Sequence, residues 1–232
     1  DLPGLHANTA QLFSLMVPEE NLSRDFHEKL DDLKKLIEND LDGFARLVIN
    51  TIRNNKIMNA EFKFIRLLNG EYIQTRIRME RLHPIIQSLL YLYYPLFDDV
   101  QVKIRNGICE DSAELDYETF VGGLIPILHN LKKYVKEGSY IDIHYSKDRD
   151  HLFIDISTMS LGVLKEEAEK IFERGYSGHF ARELKRDGRG LGMYHAKSLL
   201  NMSHADIRFI PGDIKDDGYA QNVIKLILIA GK

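Results

Sequence analysis

The chain has 232 residues, of which 44% are hydrophobic and 28% charged; these are globular values that exclude a disordered chain and set a prior of one or two domains. Acids outnumber bases by 35 to 31, so no basic excess exists to neutralise a row of phosphates, and nucleic acid is not expected as the main partner. A single cysteine, Cys109, rules out an intramolecular disulfide and a cysteine-built zinc site and suits a reducing, cytoplasmic setting. No apolar run reaches the ~18–20 residues that span a bilayer, and no signal peptide is visible. The chain opens on Asp1 rather than Met, so we expect a piece of a longer protein, with no membrane contact in this fragment.

Residues 5–17, with Leu5, Leu12, Phe13 and Met16, read as a short first helix. Residues 19–57 place Leu22, Phe26, Leu30, Leu33, Leu36, Ile37, Leu41, Phe44, Leu47, Val48 and Ile52 at steps of three and four, which is one apolar stripe on a single long helix. Pro18 and two glutamates suit its first turn, and Gly43 is its weak point. Two helices cannot close a core, so this face calls for a second copy or another domain. From Glu71 the texture changes. A strand is predicted at 73–79, a helix at 83–96, an alternating strand at 100–108 and a helix at 116–136. Alternation predicts strands at 140–145 and 151–156, followed by a short helix at 164–173. Residues 174–187 are polar, basic and glycine-containing, as in a mobile loop. A helix at 191–202 and strands at 205–209 and 223–229 complete an α+β pattern. The boundary between the two regions falls within 57–72, and we divide the chain as 1–68 and 69–232.

Three segments carry candidate chemistry. Gly188-Arg189-Gly190-Leu191-Gly192 precedes a helical pattern. Its backbone can approach a ligand closely, and the free N–H groups of the helix start suit a phosphate; the plain alternative is a flexible loop closed by a helix. It is neither a dinucleotide fingerprint nor a P-loop. About sixty residues earlier stands His129-Asn130-Leu131-Lys132-Lys133-Tyr134. Asn130 and Lys133 share a helix face. An amide oxygen can ligate magnesium, an ammonium can meet a phosphate, and a tyrosine can pack beside a base. Taken alone, the segment also reads as a solvated helix end with lysines in its last turn. The third segment, Ser157 to Val163, reads as a turn leaving a sheet.

The order and spacing of these segments resemble the ATP-binding domain of sensor histidine kinases, a superfamily shared with DNA gyrase. Asn130, Lys133 and Tyr134 match the second half of that family's asparagine box. Ile171-Phe172-Glu173 with Gly175-Tyr176 resembles its phenylalanine box, and Gly188, Gly190, Leu191 and Gly192 match its last glycine box. The resemblance implies an N-terminal helical hairpin, a four-helix bundle on dimerisation, followed by an α/β sandwich of the histidine-kinase ATPase type. It also implies ATP and magnesium as cofactors. Asn130 would ligate magnesium and Lys133 would meet phosphate. Tyr134 and Thr158 would line the nucleoside side, Gly162 and Phe172 belong to the same pocket, and the 188–192 backbone would hold the phosphate tail.

The sequence departs from the family at informative places. Pro126 stands where the family has its first asparagine or a water-activating glutamate, which disfavours a gyrase-type ATPase; with Gly122-Gly123 it should also kink its helix. In the first glycine box only Gly162 survives. Thr158 replaces the aspartate that reads the adenine amino group and Ser160 replaces the first glycine. A neutral bond is worth about 0.5–1.5 kcal/mol against ~1.5–3 for a charged one, so weakened nucleotide affinity is expected. The resemblance makes residues 1–68 the dimerisation and phosphoacceptor domain. His6 has the right distance to the catalytic part but lacks the neighbouring acid. His27, followed by Glu28, has the better local chemistry but lies close to the catalytic domain. We take His6 as the phosphoacceptor, with His27 as the alternative. The expected function is ATP-dependent autophosphorylation on histidine by a homodimer, then phosphotransfer to the receiver domain of a response regulator. Any sensor, membrane-bound or otherwise, lies upstream of the fragment. The alternative is a degenerate pseudokinase, a dimeric scaffold with weak or no ATP binding.

Overall fold

The computed structural model describes residues 26–186 and 188–231. The chain divides into two compact units between Glu61 and Phe62. In the first, α1 (Phe26–Asn39) is followed after one residue by α2 (Leu41–Leu68), whose last turns belong to the second unit. The long helix expected over 19–57 is therefore interrupted at Asp40 and continues further than its stripe announced. Asp40 cuts it because its own carboxylate offers the backbone an alternative: Oδ1 accepts from Gly43 N at 2.8 Å, which starts α2 afresh with Asp40 as its cap. Gly43 is not simply a weak point, since a β-carbon there would collide with the capping carboxylate. The expected helix at 5–17 and the first turns expected from 19 lie outside the described residues.

The second unit is a mixed five-stranded sheet with helices on its buried face. After β1 (Arg78–Arg81) come α3 (Leu82–Asp98), β2 (Lys103–Asn106), β3 (Ser112–Leu115), α4 (Tyr117–Tyr134), β4 (Tyr140–Lys147) and β5 (His151–Leu161). The chain ends with α5 (His179–Glu183), α6 (Gly192–Met202), β6 (Ala205–Ile210) and β7 (Tyr219–Ile229). The sheet order is β2-β4-β5-β7-β6; β2 runs parallel to β4 and the other pairs are antiparallel. The β5–β7 ladder runs without a break from His151 opposite Ile229 to Leu161 opposite Tyr219. Along both strands alternate positions are buried, with Leu152, Ile154 and Ile156 facing inward beside Ile224, Leu226 and Leu228. The α+β architecture follows the pattern read from the sequence.

Several boundaries moved. Residues 73–77 make no ladder; only Arg78–Arg81 pairs, with β3, a strand whose four residues are too few for alternation to reveal. The strand expected over 100–108 narrows to β2. The segment 157–161 is not a turn but the end of β5, held by its full pairing with β7. The helix expected at 164–173 is two 3-10 turns, Lys165–Glu167 and Lys170–Phe172. The loop 174–187 contains the short helix α5. Despite Gly122, Gly123 and Pro126, α4 is one helix from Tyr117 to Tyr134.

Gly123 has a packing reason. A β-carbon there would come within 2.6 Å of Leu200 Cγ and 3.1 Å of the Ala196 carbonyl on α6, so its absence lets α4 and α6 touch backbone to backbone. The start of α4 is fixed by Asp116, whose carboxylate accepts from Thr119 N at 2.8 Å and Thr119 Oγ1 at 2.9 Å. It also accepts from Arg76 N at 2.7 Å, forty residues away in sequence. Burial alone would raise this carboxyl; the three donors and the Lys63 charge outweigh it and hold it below the ordinary carboxylate range. Phe64, 2% exposed, stacks on His195 with ring centroids 3.3 Å apart and meets Tyr194 edge-on at 5.9 Å.

Two outcomes are expected. Asp116→Ala leaves the buried Thr119 amide and hydroxyl and the part-buried Arg76 amide without their acceptor and should lower the free energy of urea unfolding by about 1–3 kcal/mol, while Asp116→Asn, which keeps one acceptor oxygen, should lose less. Burial, then the Arg174 guanidinium, pushes the His195 imidazole down to about 4 from 6.5. Between those values the unfolded chain binds a proton that the folded chain refuses. Stability should hold above pH 6.5, fall between 6.5 and 4 and level off below 4. Urea midpoints across that range should show the slope, and His195→Gln should remove its contribution.

Candidate functional site

The last turn of α4 and the first turn of α6 meet, and most of the residues singled out from the sequence meet there with them. Asn130 is half-buried on α4. Its amide lies against Gly192, where a β-carbon would stand 3.3 Å from Nδ2 and 3.4 Å from Oδ1. One turn on, the Lys133 ammonium is 3.2 Å from where a Gly188 side chain would begin, and it sits 5.1 Å from the Tyr134 ring centroid. The Tyr134 hydroxyl donates to the Arg186 carbonyl at 3.2 Å. At steps of three and one along a helix end, an amide and an ammonium thus face Gly192 and Gly188, and a phenol reaches the returning end of the loop at Arg186.

The loop between residues 175 and 190 closes at its neck. Gly175 N donates to the Gly190 carbonyl at 2.9 Å. Gly190 has φ +64, and a β-carbon on it would collide with the Gly175 backbone and reach 2.5 Å from Tyr176 N. Conformation and space therefore both require glycine at 190. The turn ends at Leu191, which caps α6 without any side-chain acceptor. An apolar cap leaves the first-turn amides of this eleven-residue helix to backbone, water or ligand, at the positive end of its dipole.

The floor is β5 and β7. Thr158 is 2% exposed, lies opposite Ile141 and Asn222 in the ladders, and its Oγ1 has no hydrogen-bond partner among the described residues. Asn222, 1% exposed, donates from Nδ2 to Ser160 Oγ at 2.9 Å and to the Leu161 carbonyl at 3.0 Å, and its Oδ1 accepts from Gly212 N at 3.1 Å. Gly162 donates to the Gly218 carbonyl at 2.9 Å, and a β-carbon there would crowd Ile214. Phe172 is buried in the turn beneath the loop, with the Lys197 ammonium 4.9 Å from its ring centroid.

Two of the residues that shape this region were not singled out from the sequence. Glu167 bonds to groups nine and twelve residues away, a separation that no helical or strand period marks. Asn222 was legible in principle, because it breaks the inward-facing run Ala220, Ile224, Leu226 and Leu228 of a strand with strict alternation. His27 is exposed on the first turn of α1. His6 lies outside the described residues. No group of three metal-ligating acids, histidines or cysteines exists among the described residues, so any metal here would depend on Asn130 and on ligand oxygens. No helix among them is long and apolar enough to cross a membrane.

No family model matches the chain. It is 28% identical over 174 residues to the sensor histidine kinase WalK of Bacillus subtilis, which covers 73% of this chain and 26% of that protein. It is 40% identical over 131 residues to the histidine protein kinase SaeS of Staphylococcus aureus, covering 55% of this chain and 37% of that protein. The chain thus spans about a quarter to two fifths of the length of these relatives. Among solved structures, full-length ShkA in complex with AMPPNP superposes with a TM-score of 0.58 at 15% identity, over 98% of this chain and 45% of that one. The chain is similar in sequence to sensor histidine kinases and carries the fold of a histidine kinase catalytic domain.

Proposed function

We propose that the chain is the kinase core of a sensor histidine kinase: it binds ATP with magnesium between the end of α4 and the 175–190 loop and transfers the γ-phosphoryl group to a histidine. The observation that carries this reading is the convergence of Asn130, Lys133 and Tyr134 on Gly188, Arg186 and Gly192. The residues present suit such a ligand. Gly188 and Gly192 leave open the space that β-carbons would fill beside an ammonium and an amide, and the Thr158 hydroxyl is a buried polar group with an unused hydrogen-bonding capacity. ShkA, of the same fold, is in complex with the ATP analogue AMPPNP.

In this arrangement the Lys133 ammonium neutralises phosphate charge and the α6 amides donate to the phosphate tail at the positive end of the helix dipole. Asn130 offers an amide oxygen to magnesium, a hard cation that keeps several waters and needs few protein ligands. Magnesium supplies charge neutralisation at the phosphate oxygens. Tyr134 and Thr158 border the nucleoside, and the Thr158 hydroxyl gives or takes a neutral hydrogen bond there. Catalysis rests on positioning and electrostatics, since the chain needs to supply little covalent chemistry of its own beyond the accepting imidazole. Residues 1–68 form the dimerisation and phosphoacceptor domain in this reading, with His6 as acceptor and His27 as its alternative, and 69–232 form the ATP-binding domain. A homodimer then passes the phosphoryl group to an aspartate on a response regulator receiver domain.

A fluorescent ATP analogue titrated with and without magnesium should saturate, more tightly with the metal. Lys133→Ala should weaken binding about tenfold, the scale of one lost charge-assisted contact, and Thr158→Asp should tighten it several-fold by replacing a neutral acceptor with a charged one. No saturation at millimolar nucleotide would leave the chain an interaction module. Incubation with γ-labelled ATP should give an acid-labile, alkali-stable phosphoprotein. His6→Ala should abolish the label; its loss in His27→Ala, with His6→Ala still labelled, would place the acceptor on α1.

A further inference from the structure

The Glu167 side chain is 5% exposed, and a carboxylate that deep is tolerated only with a full set of partners. Its Oε1 accepts from the Tyr176 hydroxyl at 2.6 Å and from His179 N at 2.8 Å, its Oε2 accepts from Leu164 N at 3.2 Å, and the Arg182 guanidinium stands 4.0 Å away. Leu164 N belongs to the turn that leaves the sheet. Tyr176, His179 and Arg182 all lie on the outgoing arm of the loop, just past its neck. Burial alone would raise this carboxyl; the bonds from Tyr176, His179 and Leu164, with the Arg182 charge, outweigh it and hold it below the ordinary range, so it is ionised at neutral pH. The same bond, foremost, pushes the Tyr176 phenol up, so it remains the donor.

The loop is therefore tethered in different ways at its neck and along its two arms. The neck is backbone to backbone, Gly175 to Gly190. The returning arm is held by Tyr134 on the Arg186 carbonyl. The outgoing arm is held chiefly by one charged group, Glu167, with the exposed Ser177 hydroxyl donating to the Gly188 carbonyl at 3.4 Å as a weaker link between the arms. We propose that Glu167 is a positioning residue for the nucleotide, fixing the outgoing arm, residues 176–182, in place before ligand arrives. This rests on the nucleotide reading above. Ordering this arm costs conformational entropy whenever it happens, and an arm ordered in advance leaves less of that cost to the binding step. Glu167 touches the loop rather than the ligand cleft, so its effect reaches nucleotide through the arm.

The test uses the full chain, magnesium-ATP analogue titration, and hydrogen–deuterium exchange without nucleotide, for the parent, E167Q, Y176F and the double variant. The dissociation constant should rise about tenfold in E167Q and about threefold in Y176F, with the double variant no weaker than E167Q, because Tyr176 acts through the carboxylate. Amides of 176–184 should exchange faster in E167Q while those of β5 and β7 do not change. Binding by E167Q within twofold of the parent overturns the proposal, as does faster exchange spread over the sheet, which marks a purely structural role. If E167Q does not fold, Y176F decides: a threefold loss with a protected sheet supports the assignment, and an unchanged constant overturns it. A parent that binds no nucleotide at all overturns the kinase reading itself, and this assignment with it, before any variant is compared.

Discussion

The candidate site depends on one close approach. With no β-carbon at Gly123, α6 lies so near α4 that a methyl group there would come within 2.6 Å of Leu200. Asn130 lies seven residues past Gly123, and Gly192 lies eight residues before Leu200. The two helices are therefore antiparallel, and a second glycine contact, Gly192 on Asn130, follows about two turns, ~10–12 Å, from the first. Two glycine contacts two turns apart fix both spacing and register. They set the amide and ammonium of α4 beside the amides of α6. A larger residue at 123 would push α6 out and carry the glycine box with it. The long β5–β7 ladder behind the helices supplies the flat, buried surface on which such a helix pair rests.

The loop above this pair is held without secondary structure of its own beyond α5. Its neck works only because Gly190 takes a positive φ in a space that has no room for a side chain. Its arms are tied by side chains from different layers, Tyr134 from the helix and Glu167 from the turn that follows the sheet. A backbone tether sets where the loop begins and ends, and the side-chain tethers set how its arms lie. Substitutions can therefore alter the arms without dissolving the neck, which separates the loop's order from the stability of the sheet.

Much of the site was legible because its parts are local. Gly188, Gly190 and Gly192, and Asn130, Lys133 and Tyr134, each lie within a few residues, and the chemistry of each group follows from spacing on one backbone. The two groups were joined by resemblance, and the structure brings them together. What the sequence did not disclose is non-local or set by competition. Asp40 ends one helix and begins another because its carboxylate reaches the Gly43 amide, a contest that the apolar stripe on both sides conceals. β3 is four residues long and exists through its pairing with β1. The end of β5 reads as a turn by its serine, threonine and glycine content, yet its partner strand carries it to Leu161. Glu167 gathers donors that only the folded chain brings together.

The inner face of the sheet shows how this chain is built around a threonine at position 158, where the resembling kinases carry an aspartate. Asn222 fills both ends of its amide, bonding Ser160, the Leu161 carbonyl and Gly212 N, so the polar groups that replaced the family's glycine and its surroundings are satisfied internally. The Thr158 hydroxyl is not. A buried hydroxyl left without a partner costs about 1–3 kcal/mol. A valine of nearly the same shape would avoid that cost, so the fold alone gives no reason for a threonine there. Its hydroxyl can accept from an amino group or donate to a carbonyl, whereas a carboxylate would accept only. In the nucleotide reading, a polar ligand that reached this hydroxyl would supply the missing bond and recover that cost.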